Sequence, residues 1–316
     1  MAPFVCRHNM VPLLSIAPMI DWTNTYFRIF MRLLAPEALL YTEMQTCGAV
    51  LNNPKRALMF HAMEKPLALQ LGGADVPSLV QCAVIAEKAG FTEVNLNIGC
   101  PSDKVQAGSF GACLMLKPDL VAEAITAMKA AVSIPVTAKI RIGIDTEDSF
   151  AFFLAFVTRL VNAGCDTLIV HARKAWLKGL SPKQNRTIPP LQYDYVYQLR
   201  DYFPEVPIVI NGNIQTLEAI QGHLQYTDGV MLGRLAIDNP YAIHLIHQAL
   251  YPQSVLSTRQ DLAREYLRYA NHPEHASIPH TIRFKPLLSL AHGIPHAKQW
   301  RMTCAAGNID LDLMNA

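Results

Sequence analysis

The segment Asn97-Ile98-Gly99-Cys100-Pro101-Ser102 sets a thiol on a short loop, with a glycine before it and a proline after it to fix the backbone. An ordinary thiol has a pKa near about 8.5 and is mostly protonated at pH 7. It can donate a proton where a serine hydroxyl is too weak an acid, so general-acid chemistry is the reading for Cys100. Cys47, Cys82, Cys113 and Cys165 are expected instead to be small apolar core residues, the usual fate of free cysteine. The chain has seven cysteines, an odd and scattered set without a Cys-x-x-Cys pair. No zinc ribbon or thioredoxin-type motif can be built locally, and no metal-ligand set is read. Free thiols fit a reducing cytoplasm.

Two other stretches suggest an anion. Asn211-Gly212-Asn213 and Gly233-Arg234 combine glycines, which let backbone N–H groups approach a ligand, with an arginine able to bind phosphate in a bidentate manner. Lys139 follows the apolar run Ile134–Ala138, and a cation there would stabilise negative charge on a bound ring system. Between Arg173 and Arg186 lie Lys174, Lys178 and Lys183, with Trp176 among them and no acidic residue. Lys298 and Arg301 flank Trp300 in the same style. A charge run is often only a solvated face, but charge of one sign beside aromatics also suits a polyanion such as RNA.

These groups need a scaffold, and the hydrophobic pattern supplies one. Short apolar runs predict strands at Leu13–Pro18, Leu39–Thr42, Leu67–Leu71, Val94–Asn97, Val136–Arg141, Thr167–His171, Ile208–Asn211 and Gly229–Leu232. Helical spacing recurs between them, at Val76–Ala89, Leu120–Val132, Ser149–Ala163 and Thr216–Leu224, with start signals at Asp75 and Thr216. Eight strand–helix units in about 250 residues predict a (β/α)8 TIM barrel. A doubly wound sheet would announce itself by Gly-x-Gly-x-x-Gly after the first strand; here Ala17-Pro18-Met19 follows. Residues 251–316 show only helical spacing, broken at Gly293 and Pro295, and predict a second, all-helical domain after a barrel domain of residues 1–250.

In such a barrel the C-terminal ends of the strands form the active-site mouth. Those ends carry Pro18-Met19, Gln70, Asn97, Lys139 with Arg141, His171, Asn211-Gly212-Asn213 and Gly233-Arg234. Each alone could be a cap or a buried, satisfied polar residue; a ring of them reads as a site.

Composition narrows the class. The chain of 316 residues is 51% hydrophobic and 16% charged, which argues for a large core and against disorder. Its net charge of +2 is too mild to imply nucleic acid by itself. The stretch free of charged residues from Asn239 to Thr258 holds two His, two Gln and two Pro, a poor membrane span. No signal peptide is readable at the start, and the expectation is a cytoplasmic protein without a membrane partner.

Together, Ala17-Pro18-Met19, Asn97 through Ser102, Lys139-Ile140-Arg141, Asn211-Gly212-Asn213 and Gly233-Arg234 resemble the tRNA-dihydrouridine synthases. The stretch His171-Ala172-Arg173-Lys174-Ala175-Trp176 through Lys183 resembles their A-type subfamily, and the likeness runs from about Leu13 to Arg301. The resemblance implies an FMN-binding barrel with a helical tRNA-binding domain. Reduced by NADPH, the flavin would pass hydride to C6 of a uridine, and Cys100 would protonate C5. By the same likeness Ala17, Pro18, Met19, Gln70, Lys139, His171, Asn211, Gly212, Asn213, Gly233 and Arg234 would hold FMN. Asn97 and Arg141 would face the flipped uracil, and Lys183, Arg186, Lys298 and Arg301 would orient tRNA, with D-loop uridines 20 and 20a as targets. Gln184 stands where the subfamily stretch has Glu, and Met302 follows Arg301 where a second basic residue is usual.

Two other classes compete. An FMN barrel acting on a small pyrimidine explains the phosphate site and the loop cysteine, but leaves the basic loop and the last 60 or so residues without a purpose. A barrel that only binds RNA predicts a colourless protein.

Overall fold

In the computed structural model, which describes residues 11–314, every strand expected from the sequence forms, and all run parallel. They are β1 (Leu14–Ile16), β2 (Leu39–Tyr41), β3 (Gln45–Thr46), β4 (Leu67–Gly72), β5 (Glu93–Ile98), β6 (Val136–Arg141), β7 (Leu168–His171), β8 (Ile208–Asn211) and β9 (Gly229–Leu232). β1 pairs with both β2 and β9, and β2 pairs with β4, so eight of the nine strands close into a ring. The two-residue β3 lies outside that ring on the exit of β4; it is too short to leave a periodic signal. The chain is a (β/α)8 TIM barrel.

Strand alternation decides what each side chain faces. Outward residues such as Val94, Leu96 and Ile98 merge with the buried faces of the surrounding helices into one extensive core. Inside the ring, Ala17, Leu39, Tyr41, Ala68, Ile169, Val209 and Met231 form a separate apolar cluster. Glu93, Asn95, Gln70 and Thr137 are buried beside it. The register brings them together: Ala68 lies opposite Glu93, Gln70 opposite Asn95, and Asn95 opposite Thr137.

Capping chemistry sets several helix ends. Asp75 accepts from Ser78 N and opens the helix Val76–Ala89, which closes on Gly90 at φ 91°, the left-handed conformation glycine favours. Ser149 and Thr216 cap Phe150–Asn162 and Leu217–His223 in the same way.

After Pro240–Leu250 the regular elements of the described chain are all helical, with Arg259–Ala270 capped by Thr258 and a later helix at Ala297–Ala306. The apolar run from Phe284 to Leu290 is not one continuous helix. Pro286, which has no N–H to donate, sits in a single turn at Lys285–Leu287. The C-terminal region packs on the barrel helix Thr25–Leu34 through Tyr266 and Phe30, whose ring centres are 5.1 Å apart. Lys285 reaches back to the barrel, donating to the Asp21 carbonyl at 2.7 Å with its ammonium 4.2 Å from the centre of the Trp22 ring. Among the described residues, no helix is long and apolar enough to cross a membrane.

Candidate active site at the barrel mouth

The strand exits open onto one cavity of about 520 Å³, within the range of roughly 300–1,000 Å³ usual for cofactor and small-molecule sites. Ala17, Pro18 and Met19 line it from β1, Gln70 from β4, Asn97 from β5, Lys139 and Arg141 from β6, and His171 from β7. Asn211, Gly212 and Asn213 follow β8, and Gly233 and Arg234 follow β9; Cys100 and Arg186 reach it from loops. Lys183, Lys298 and Arg301 do not line the cavity and are exposed on the surface.

The Cys100 loop is held from several sides. Asn97 Oδ1 accepts from the backbone N–H groups of Gly99 at 3.2 Å and Cys100 at 3.0 Å. The Cys100 carbonyl accepts from Ala112 N at 2.9 Å. Gly111 makes that approach possible: its φ is +77°, and a Cβ there would meet the Cys100 carbonyl oxygen at 2.5 Å. Cys100 Sγ is half-buried, faces the cavity and lies 3.4 Å from Ser102 Oγ.

Arg141 is 4% exposed and works as a clasp. Its Nε donates to the Gly99 carbonyl at 2.9 Å, and Nη1 donates to the carbonyls of Lys174 and Asn185 at 3.0 and 2.9 Å. One guanidinium therefore ties the cysteine loop to the loop after β7. Gln106 adds a second tie, donating to the carbonyls of Pro101 at 2.8 Å and Leu177 at 2.9 Å.

Lys139 Nζ donates to Asn211 Oδ1 at 3.2 Å, while Asn211 Nδ2 donates to the Met231 carbonyl at 2.8 Å. Burial, with Arg141 close by, pulls the Lys139 ammonium down to about 7. Burial and the same cations hold the His171 imidazolium well below its ordinary range, so the ring is neutral at pH 7. At the last two exits, Arg234 Nη2 donates to Asn213 Oδ1 at 3.0 Å. Gly212, at φ +136°, lets the chain pass the His171 ring, which a Cβ would meet at 3.1 Å.

The basic loop is less free than its sequence suggests. Arg173 is buried and donates to the carbonyls of Thr187 and Pro189. Lys174 pairs with Asp148 and lies 4.5 Å from the centre of the Trp176 ring. The strand exit needs those bonds for its own support, leaving Lys178, Lys183 and Arg186 as the exposed cations of the run. Asn185, fully buried, exchanges bonds with the Trp176 backbone and organises the loop. Gln184 Oε1 accepts from Ser181 N and Oγ at 2.9 Å, a turn-capping role that Glu could also fill. In the C-terminal region, Trp300 is a core residue, its Nε1 donating to the Leu287 carbonyl at 2.7 Å, and it presents no face for stacking. Cys47, Cys82 and Cys165 are buried as expected, whereas Cys113 is only half-buried. No three His, Cys, Asp or Glu among the described residues could hold a metal ion.

Sequence reasoning found Asn97 at the mouth but missed the polar residues behind it. Glu93, Asn95 and Asn97 alternate on β5 with Val94, Leu96 and Ile98. That alternation puts a carboxylate and two amides inside the barrel, and it was the available signal.

The profile described as "Dihydrouridine synthase (Dus)" matches residues 15–311. The "tRNA-dihydrouridine(20/20a) synthase" of Xanthomonas campestris pv. campestris is 49% identical over 297 residues, spanning 93% of this chain and 88% of that protein. Proteins of the same name from Pasteurella multocida and Synechocystis sp. are each 50% identical, over 91% and 92% of this chain and 88% and 87% of their own length. A solved 2-naphthoyl-CoA reductase complex superposes with a TM-score of 0.58 at 10% identity, covering 76% of this chain and 50% of that one, which is a likeness of fold alone. With half of its residues shared across nearly its whole length, the chain belongs to the dihydrouridine synthase family.

Proposed function

We propose that the chain is a tRNA-dihydrouridine synthase that reduces the C5=C6 bond of D-loop uridines 20 and 20a, with FMN as cofactor and NADPH as reductant. The observation that carries this reading is the single cavity in which Cys100, Lys139 and the two glycine-bearing exits converge, in a chain half identical to proteins of that name.

The cavity residues fit a flavin. A half-buried ammonium suits the ring system, and Asn213 and Arg234 stand at the two exits where barrels of this kind take phosphate. Lys139, His171, Gln70, Ala17, Pro18 and Met19 would surround the ring, and Asn211, Gly212, Asn213, Gly233 and Arg234 the ribityl phosphate. A bound, reduced flavin would supply hydride to C6 of the uracil. Cys100 then gives its Sγ proton to C5, so hydride and proton together saturate the bond, and solvent reprotonates the thiolate. Asn97 would present an amide N–H to the uracil, and Arg141 would hold the two loops around it. Neutral His171 adds a ring without adding charge.

A uridine in folded tRNA must be extruded to reach this depth. Arg186 at the rim, Lys183 beside it, and Lys298 and Arg301 on the helical region (residues 251–316) would hold the surrounding RNA, and the barrel (residues 1–250) would carry the chemistry. The place of this reaction is the cytoplasm. The test is to incubate unmodified tRNA with the purified chain and NADPH and map dihydrouridine position by position. Product at 20 and 20a is expected; a yellow protein that leaves tRNA untouched but reduces free pyrimidines would overturn the reading.

A further inference from the structure

We infer that Glu93 is a positioning residue: through Thr137 and Asn95 it fixes which way the side-chain amides of Gln70 and Asn97 point, so that the cavity floor offers hydrogen-bond donors to whatever ring binds there. The inference rests on the flavin reading above and deepens it.

The bonds form one directed chain. Thr137 Oγ1 donates to Glu93 Oε1, which also accepts from the Tyr41 hydroxyl at 2.8 Å. With its one proton committed to the carboxyl, Thr137 can only accept from Asn95, and Asn95 Nδ2 donates to it at 2.8 Å. Asn95 Oδ1 is thereby turned toward Gln70, whose Nε2 donates at 2.8 Å. Gln70 Oε1 in turn accepts from Asn97 Nδ2 at 2.9 Å, leaving Asn97 Oδ1 for the backbone N–H groups of Gly99 and Cys100.

Glu93 sets the polarity because a carboxyl oxygen taking two hydroxyl protons can only accept. Burial pushes the carboxyl up to about 7, and the oxygen that takes both hydroxyls stays an acceptor whether or not the other carries a proton. Asn95 and Thr137 are fully buried, so no water competes for their bonds. Gln70 and Asn97, which end the chain, line the cavity. Each primary amide uses one N–H in the ladder and has a second, while Asn97 Oδ1 already accepts two bonds and Gln70 Oε1 one. The floor therefore recognises acceptor atoms, such as the carbonyl oxygens and ring nitrogens of a flavin or a pyrimidine. With Lys139 nearby, it favours a ring that has gained negative charge.

The experiment compares the full chain carrying Thr137→Val, which keeps the shape but cannot relay, with Thr137→Ser, which keeps the hydroxyl and loses the methyl. FMN affinity, the visible spectrum of the bound flavin and its midpoint potential are measured for each. Thr137→Val is expected to weaken FMN binding about five- to tenfold, the scale of one hydrogen bond. It should also cost about tenfold in preference for the reduced flavin, lowering the midpoint potential by about 30 mV. Thr137→Ser should match the unaltered chain. Unaltered FMN affinity and potential in Thr137→Val overturn the inference, as does an equal displacement in both variants, which would mean packing alone. Should Thr137→Val not fold, the double variant Tyr41→Phe with Glu93→Met removes the acceptor and its outer partner together and is read by the same criteria. A natural chain that takes up no FMN would bring down the flavin reading, and the inference with it. A natural chain that binds FMN beside variants indistinguishable from it would bring down the inference alone.

Discussion

Replacing Lys139 by methionine should stabilise the flavin-free chain near neutral pH while abolishing tight flavin binding. Burial, with Arg141 beside it, brings the Lys139 ammonium from its ordinary 10.5 to about 7. Between those two values the unfolded chain carries a proton on this lysine that the folded chain lacks. Stability contributed by this site therefore rises with pH across the window: it is fully present above about 10.5 and lost as pH falls to about 7. The whole window is worth about 5 kcal/mol, at a slope of about 1.4 kcal/mol per pH unit inside it. Methionine is of similar length, fills the same space and does not titrate. Urea unfolding of both flavin-free proteins at pH 7.5, 8.5 and 9.5 isolates Lys139 and the few groups coupled to it, because every more distant titrating group is shared and cancels in the difference. The difference should move by about 3 kcal/mol over those two units, favouring methionine more at the lower pH. An anionic ligand beside Nζ reverses the balance, so FMN added at pH 7.5 should raise the stability of the natural chain far more than that of Lys139→Met. Unfolding free energies that run parallel from pH 7.5 to 9.5 would refute the account of Lys139, as would equal stabilisation of the two proteins by FMN.

Cys100→Ala should keep its flavin and lose dihydrouridine formation by about 10²-fold or more, the usual worth of a positioned general acid; activity within tenfold of the natural chain excludes the role. Arg141→Lys keeps the charge but cannot reach three carbonyls on two loops. At about 1.5–3 kcal/mol for each charge-assisted bond lost, two lost bonds should lower the melting temperature by roughly 5–9 °C in a chain of this size and slow turnover, and an unchanged melting temperature would remove the clasp. Exchanging Lys183 and Arg186 together for Gln should raise KM for tRNA and flatten its salt dependence by just under about one unit per lost phosphate contact. Flavin content should stay as it was, and an unaltered salt slope takes both residues out of the RNA path.

The barrel was legible because each strand of the ring leaves a β-branched or apolar run and several helices a capping side chain. Asp75 and Thr216 mark helix starts in the sequence and accept the expected backbone bonds in the fold, and Ser149 and Thr258 do the same without having been read as caps. The mouth was legible for the same reason: polar residues at strand ends stand out against apolar strands. What lies behind it was not. Glu93 and Asn95 were signalled only by their alternation with apolar residues along β5, Thr137 not at all, and their meaning arises only when the register sets Asn95 beside Thr137. The basic loop was half legible, since composition counts charges but does not show that Arg173 and Lys174 are already bonded to carbonyls and to Asp148. Trp300 misled for a related reason, because its helix buries one face and the flanking cations say nothing about which.

The seam between Phe30 and Tyr266 bears on how the molecule comes apart. Tyr266 and Trp300 are among the largest fully buried side chains, and they belong to the same continuous core as the barrel helices. Ending the chain near residue 250 would strip Phe30, Tyr26 and the rest of that face of their cover, exposing apolar surface that invites aggregation. The barrel and the last helices should therefore unfold in one cooperative transition, with the slowest-exchanging amides of Thr25–Leu34 and Arg259–Ala270 sharing one opening free energy. The C-terminal region is thus part of what the barrel needs to stay soluble, as much as an appendage that serves a substrate.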